Sequence, residues 1–268
     1  MTRKIILSRK GFDSANGGMP SPILPDGTLL SLPITFEKET LSYDEIYFRD
    51  KSYEEIITEL NPRFTYKKCH LDPDIYRTIL KERDKDWTAC FGQSHAAQTH
   101  LANNDVDVGD VFLFFGWFKQ AEYVDNKLRF VKGALDLHVI FGYLEIGKKC
   151  ASKEDIEKLK WHPHAFGPSS HNEPNVVYSA SDFLTGTNIP GYGTFKFSRD
   201  LILTKDGMTR AKWDLPTVFQ GKPMTYHSDQ SQKEDYFQSA MIGQEFVIKS
   251  DQHMLDWVLD IVKKNRID

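Results

Sequence analysis

The chain has 268 residues, 40% of them hydrophobic and 13% aromatic, with a net charge of −4. That length can build one large core or two small ones, and no apolar run approaches the roughly 20 residues of a membrane span. The charge is too acidic overall for the many phosphate contacts of non-specific duplex binding, so contact with nucleic acid is expected to be local only.

Residues 1 to 7 read as a buried first strand through Ile5-Ile6-Leu7, and MTRKIILSRKG has no signal-peptide core or cleavage site. The strand runs into Ser8-Arg9-Lys10-Gly11-Phe12-Asp13. Here Arg9 offers a planar donor fork and Lys10 a point charge, a pair suited to phosphate or carboxylate; the alternative is a solvated loop in which Arg9 pairs with Asp13. Residues 14–33 are rich in Gly and Pro, with a hairpin-type turn at Pro25-Asp26-Gly27. Ser52-x-x-Glu55 is a capping box for a helix to about Leu60. Asp72-Pro73 reads as an N-cap with proline at the first helical position, the helix running to about Lys81.

Gly92 precedes a helix ending near Ala102, on which Gln93, Ala96, Ala97, His100 and Leu101 share a face. Small residues between Gln93 and His100 permit close approach by a ligand. Strands follow at 111–118, 127–131, 135–146, 176–179, 194–197 and 245–248. Gly116 marks a bulge or a close backbone approach. Phe114, Phe115, Trp117 and Phe118 are core residues first, but rings alternate sides on a strand, so Trp117 is free to stack on a base. Asp136 and His138 share a strand face, where the carboxylate can orient the imidazole and raise a pKa that burial lowers.

A short helix after Ser152 turns Ile156 and Leu159 inward. In His162-Pro163-His164 the proline holds two imidazoles in an extended arrangement. Asn175 can present an amide to a base edge. The closing amphipathic helix, 251–264, puts Met254, Val258, Ile261 and Val262 on one face. Asp136, His138, His162 and His164 are therefore the catalytic candidates. Arg9, Lys10, Asp13, Gln93, His100, Trp117 and Asn175 are the ligand-binding ones. Each of these clusters also has a purely structural explanation.

Zinc on His162 and His164 would need ligands from afar, such as Asp136 and His138. There is no HExxH, cysteine pair or acidic triplet, so no metal site is assigned and no cofactor is indicated. The P-loop, GxGxxG and GxSxG motifs are absent. Cys69, Cys90 and Cys150 lack metal spacing and are odd in number, which points to a reduced, cytoplasmic protein. The order of elements is mixed, without strict βαβ alternation. We expect an α+β single domain over 1–268: a mixed, largely antiparallel, curved or barrel-like sheet with peripheral helices and the C-terminal helix packed on it.

The strings SRKGFDSANGGMPSPILPDGTLLSLPI, HLDPD, FGQSHAAQTHL, GDVFLFFGWF, LHVIFGYLEIG, HPH, NVVY and GYGTF, in this order, resemble the nucleotide-modification-associated domain of the third type. The resemblance spans Ile5 to about Val247. It implies bacterial or phage genes placed near systems that make, read or restrict modified DNA bases. A fainter similarity is to PUA-like modified-base readers, in which a Gly-Asp turn, here Gly109-Asp110, opens a central strand. Together these imply a ligand that is a nucleotide or modified nucleic acid, partner proteins of a modification or phage-defence system, and no membrane. The rival expectation is a non-catalytic reader with an aromatic cage, or an interaction protein of such a system. Convergence of Arg9, His100, His138 and the HPH segment in one cleft would favour an enzyme; convergence of rings alone would favour a reader, and scattering of all of them an interaction protein.

Overall fold

Ile5, Ile6 and Leu7 are wholly buried in the first strand of the computed structural model, which describes residues 3–267. The first two residues of the expected 1–7 strand lie outside that range. The described residues form a nine-stranded main sheet: β1 (Lys4–Arg9), β2 (Ser21–Ile23), β3 (Cys90–Ser94), β4 (Val111–Val124), β5 (Lys127–Phe130), β6 (Leu137–Cys150), β7 (Asn175–Ala180), β8 (Tyr192–Thr194) and β9 (Glu245–Lys249). The path runs β9-β1-β4-β6-β7-β3. β1 and β2 both pair with β4 in parallel, and the other ladders are antiparallel.

β4 and β6 are neighbours, with Leu137 opposite Phe118 and Glu145 opposite Val111. Their apolar runs are continuous because both faces of β4 are covered. Phe112 and Phe114 point to one side with Phe91 and Tyr178. Phe115 points to the other side, against Trp213 and Phe246. The register shift in this pair falls on β6 between Ile140 and Gly142. Gly116 instead serves close approach, since a Cβ there would lie 2.6 Å from the Lys10 carbonyl oxygen.

The sheet is open and does not close into the barrel expected from sequence. Its two edges are already hydrogen-bonded to irregular segments: Asp74 bridges Cys90 on β3, and Met224 bridges Ile248 on β9. Capping both edges satisfies the ladder groups that closure would need. The edges nevertheless face each other, because Gln93 on β3 donates to Glu245 on β9 at 2.7 Å. A seam bridged by side chains replaces the missing ladder.

Four helices flank the sheet among the described residues: α1 (Tyr53–Leu60), α2 (His95–Asn103), α3 (Lys153–Glu157) and α4 (Gln252–Asn265). The Ser52/Glu55 capping box opens α1 as its sequence requires. Asp251 caps α4, which buries Met254, Val258, Ile261 and Val262. No helix among the described residues is long and apolar enough to cross a membrane.

Two expectations are corrected here. The helix expected from Asp72 to Lys81 is replaced by bends and one 3-10 turn, Arg77–Ile79. Asp74 uses its backbone to pair with Cys90 and its carboxylate to hold Arg83 at 2.7 Å on both oxygens, leaving no helix for Asp72 to cap. Gln93 lies in β3, one strand residue before Ser94, so it does not share a helical face with His100.

Candidate functional site

Three short segments meet beside the seam. Cys69–His70 is a two-residue strand paired to Ile34–Thr35. Asp72-Pro73, a cis peptide, is placed by the neighbouring Asp74–Cys90 bridge. His162-Pro163-His164 forms a tight turn, not the extended arrangement expected: the Ala165 N–H donates to the His162 carbonyl at 2.8 Å.

One carboxylate organises the group. Asp72 Oδ1 accepts the Gly92 N–H at 2.9 Å and lies 3.3 Å from His162 Nε2. Asp72 Oδ2 lies 3.9 Å from His164 Nε2 and 4.0 Å from His70 Nε2. Burial alone would raise the Asp72 pKa, but the positive charge that the facing His162, His164 and His70 imidazoles carry when protonated prevails and pulls it down to about 2. Burial is also the largest influence on His164, and it drags that imidazole down to about 4. Near neutral pH the carboxylate is charged and His164 is not.

The other ring nitrogens fix the tautomers. His70 Nδ1 sits 2.9 Å from Glu39 Oε1, which also accepts the Ser169 hydroxyl at 3.2 Å. His164 Nδ1 sits 2.7 Å from Asn175 Oδ1, and the Asn175 amide donates to the His164 carbonyl at 2.9 Å. Both Nδ1 atoms therefore carry the hydrogen, and both Nε2 lone pairs face Asp72. His162 is the reverse: its Nδ1 accepts the His164 N–H at 3.3 Å, which puts its hydrogen on Nε2, a buried atom 3.3 Å from Asp72 Oδ1 but without a hydrogen bond.

The packing leaves no room for a larger residue at position 92. A Cβ on Gly92 would lie 2.4 Å from His164 Cδ2 and 2.9 Å from His162 Cε1. Gly92→Ala should therefore push both rings off Asp72 and cost about 1–3 kcal/mol of stability, as overpacking does. A denaturant titration that shows no loss would mean the rings yield freely.

A polar cleft of about 480 Å³ opens onto this group, with Arg9, Lys10, Gln93, His70, Asp72 and His164 in its wall. The Arg9 fork donates to the carbonyl oxygens of Ala240 at 2.7 Å and Met241 at 3.2 Å, which leaves its charge uncompensated by those contacts. Lys10 is already paired with buried Glu245 at 2.7 Å and lies over the Phe91 ring. Asp13 also lines the cleft, although one of its oxygens accepts the Ala15 and Asn16 N–H groups of its own turn.

Other expected site residues lie elsewhere, so the expected convergence of Arg9, His100, His138 and the HPH segment is met only by Arg9 and His164. His100 contacts Thr225 at 3.0 Å and packs on Tyr226. Trp117 donates to Asp136 at 2.7 Å, and Arg210 covers its ring at 3.8 Å, so that face is taken. Asp136 is thereby engaged with Trp117 and Lys119 and not with His138. His138 is buried in the core, where its Nδ1 accepts the Trp213 indole N–H at 3.0 Å. Burial, then Arg9 and Arg210, holds His138 down at about 3, far below the neutral poise expected of it.

That shift has a pH consequence. An unfolded histidine takes its proton near 6.5, whereas folded His138 resists until about 3. Stability is therefore fully present above that unfolded value and is lost as pH falls toward the folded one. The loss is about 1.4 kcal/mol per pH unit across this window. The unfolding free energies of wild type and His138→Gln should converge at that rate below pH 6.5; a gap independent of pH would contradict the assignment.

His70, Asp72 and Glu39 were not among the residues singled out in the sequence. The signal available was His70-x-Asp72 in HLDPD, which has the same two-residue spacing as Asp136-x-His138. No curated protein and no solved structure matches the chain. Residues 4–249 match the family model described as nucleotide modification associated domain 3, and the chain belongs to that family.

Proposed function

We propose that the cleft binds a nucleotide or modified nucleobase and acts on it chemically, as one cytoplasmic domain of a bacterial or phage DNA-modification or defence system. The observation that carries this reading is the convergence of His70, Asp72 and His164, with two Nε2 lone pairs and one carboxylate oxygen facing one another at the cleft wall. Its volume of about 480 Å³ is in the range of small-ligand sites. Membership of the nucleotide modification associated family supplies the ligand class.

The parts divide as follows. Arg9 offers charge to a phosphate, and Gln93 lines the same wall. His70 and His164 present the reacting nitrogens. The Gly92 N–H positions Asp72 through Oδ1, and Asn175 positions His164 through Nδ1. Lys10 is a weaker phosphate ligand than its charge suggests, since Glu245 neutralises it. The reader alternative draws less support, because Phe36 is the one Phe, Tyr or Trp ring in the cleft wall and no aromatic cage forms there. From the PUA-like resemblance the proposal keeps only the local contact with an accessible base.

The test is incubation of the full chain with a panel of nucleotides and modified DNAs, followed by mass spectrometry of all products. A new product mass made by wild type supports an enzyme. Saturable binding with no product in any arm assigns the cleft to a reader instead.

A further inference from the structure

We infer that His70, Asp72 and His164 form the binding site of one divalent first-row transition-metal ion. One ligand atom each from His70, Asp72 and His164 lies within 4.8 Å of the other two, and both Nε2 atoms are 3.9–4.0 Å from Asp72 Oδ2. Each of these atoms presents a lone pair, because Glu39 and Asn175 hold the two Nδ1 hydrogens. Three acceptor atoms gathered at the cleft wall repel one another, and a cation among them relieves that repulsion. The other side of each ligand is secured as metal ligands usually are. A carboxylate backs His70, an amide oxygen backs His164, and Asp72 Oδ1 is held by the Gly92 N–H and faced by His162.

The donor set selects the ion. Two imidazoles and a single carboxylate oxygen suit a first-row transition metal; calcium and magnesium take sets made of oxygen. Bonds of about 2.0–2.1 Å need ligand atoms about 3.0–3.4 Å apart, so binding draws the three side chains together by roughly 1 Å. Three protein ligands leave coordination positions open, and these face the cleft that holds Arg9 and Gln93. An ion there would polarise an oxygen of whatever molecule enters. Asp136 and His138, the distant partners that zinc on the HPH segment would have required, are engaged elsewhere.

The inference stands apart from the nucleotide reading and is tested without any nucleotide. Full-length protein is stripped with a chelator, dialysed and titrated with Co(II), followed by calorimetry and visible absorption. Wild type should bind one Co(II) per chain and gain ligand-field bands. His70→Ala and His164→Ala should each lose that binding. Glu39→Gln should weaken it by about 10–100-fold, as loss of a ligand's hydrogen-bond partner does. His138→Gln, remote from the trio, should bind as wild type does. Wild type alone decides the matter if the alanine variants fail to fold: absence of stoichiometric Co(II) and of any rise in thermal midpoint with Co(II) overturns the site. Binding that survives in well-folded His70→Ala and His164→Ala also overturns it. Product formation by a protein that binds no metal would leave the nucleotide reading standing with proton chemistry in the same cleft.

Discussion

Asp72→Asn is expected to lower turnover by about 10²–10⁴-fold, the range lost when a group that moves protons or organises those that do is removed. Asp72 is the hub: its two oxygens meet the Gly92 N–H and the three imidazoles of His70, His162 and His164. Asparagine keeps the shape and one carbonyl oxygen for Gly92, so the chain should still fold. It removes the negative charge that the imidazoles face. The check is the rate of product appearance with the substrate found in the panel, alongside the thermal midpoint. A variant that folds and turns over at the wild-type rate would remove Asp72 from the chemistry.

The largest stability effect is expected from Lys10→Met. Lys10 and Glu245 form a 2.7 Å pair with side chains 9% and 1% exposed. Removing the cation strands a carboxylate in the seam between the two sheet edges, where one oxygen already lacks a hydrogen-bond partner. Breaking one member of a buried pair costs about 3–5 kcal/mol, whereas replacing both by apolar groups is often neutral. The double variant Lys10→Met/Glu245→Leu should therefore recover most of the loss in a denaturant titration. If Lys10→Met is as stable as wild type, the buried Glu245 carboxylate does not depend on Lys10 and is held by the Gln93 amide alone. The result also bears on ligand binding, because a lysine committed to Glu245 has little charge to spare for a phosphate.

The strands that build the sheet were legible because burial on both faces writes itself as apolar runs. Phe112 to Phe115 and Val139 to Leu144 allow few other readings. The Ser52/Glu55 capping box and the amphipathic α4 were legible for the same reason: their determinants lie within a few residues of one another. The Asp72-Pro73 start failed because the local signal and the tertiary one compete. An Asp-Pro pair is a good helix opening, yet here the carboxylate accepts a hydrogen bond from Gly92, and the chain is held extended by Cys90. Closure of the sheet was not readable either, since it depends on which loops reach the edges at Cys90 and Ile248.

The site was half legible. His164, Arg9 and Gln93 were named from their places at element ends, and they do meet in one cleft. Asp72 reads as a helix cap, and His70 just before it carries no signal of its own beyond the two-residue spacing. Asp136 and His138 share the spacing that makes His70-x-Asp72 notable, but Trp117 and Trp213 claim them one each. Such pairings cross long stretches of chain and leave no local trace. A two-residue spacing on a strand marks a possible shared face; only the rings around it decide whether that face is a core or a cleft.

The cleft at His70, Asp72 and His164 is proposed to transform a nucleotide or modified base. Its most direct test compares wild type with His164→Ala on the same nucleotide and modified-DNA panel, each with and without added divalent transition metal, by mass spectrometry of the products. A new product mass is expected from wild type in at least one arm and none from a folded His164→Ala in any. Equal product from both proteins, or tight binding by wild type with no product anywhere, would contradict it.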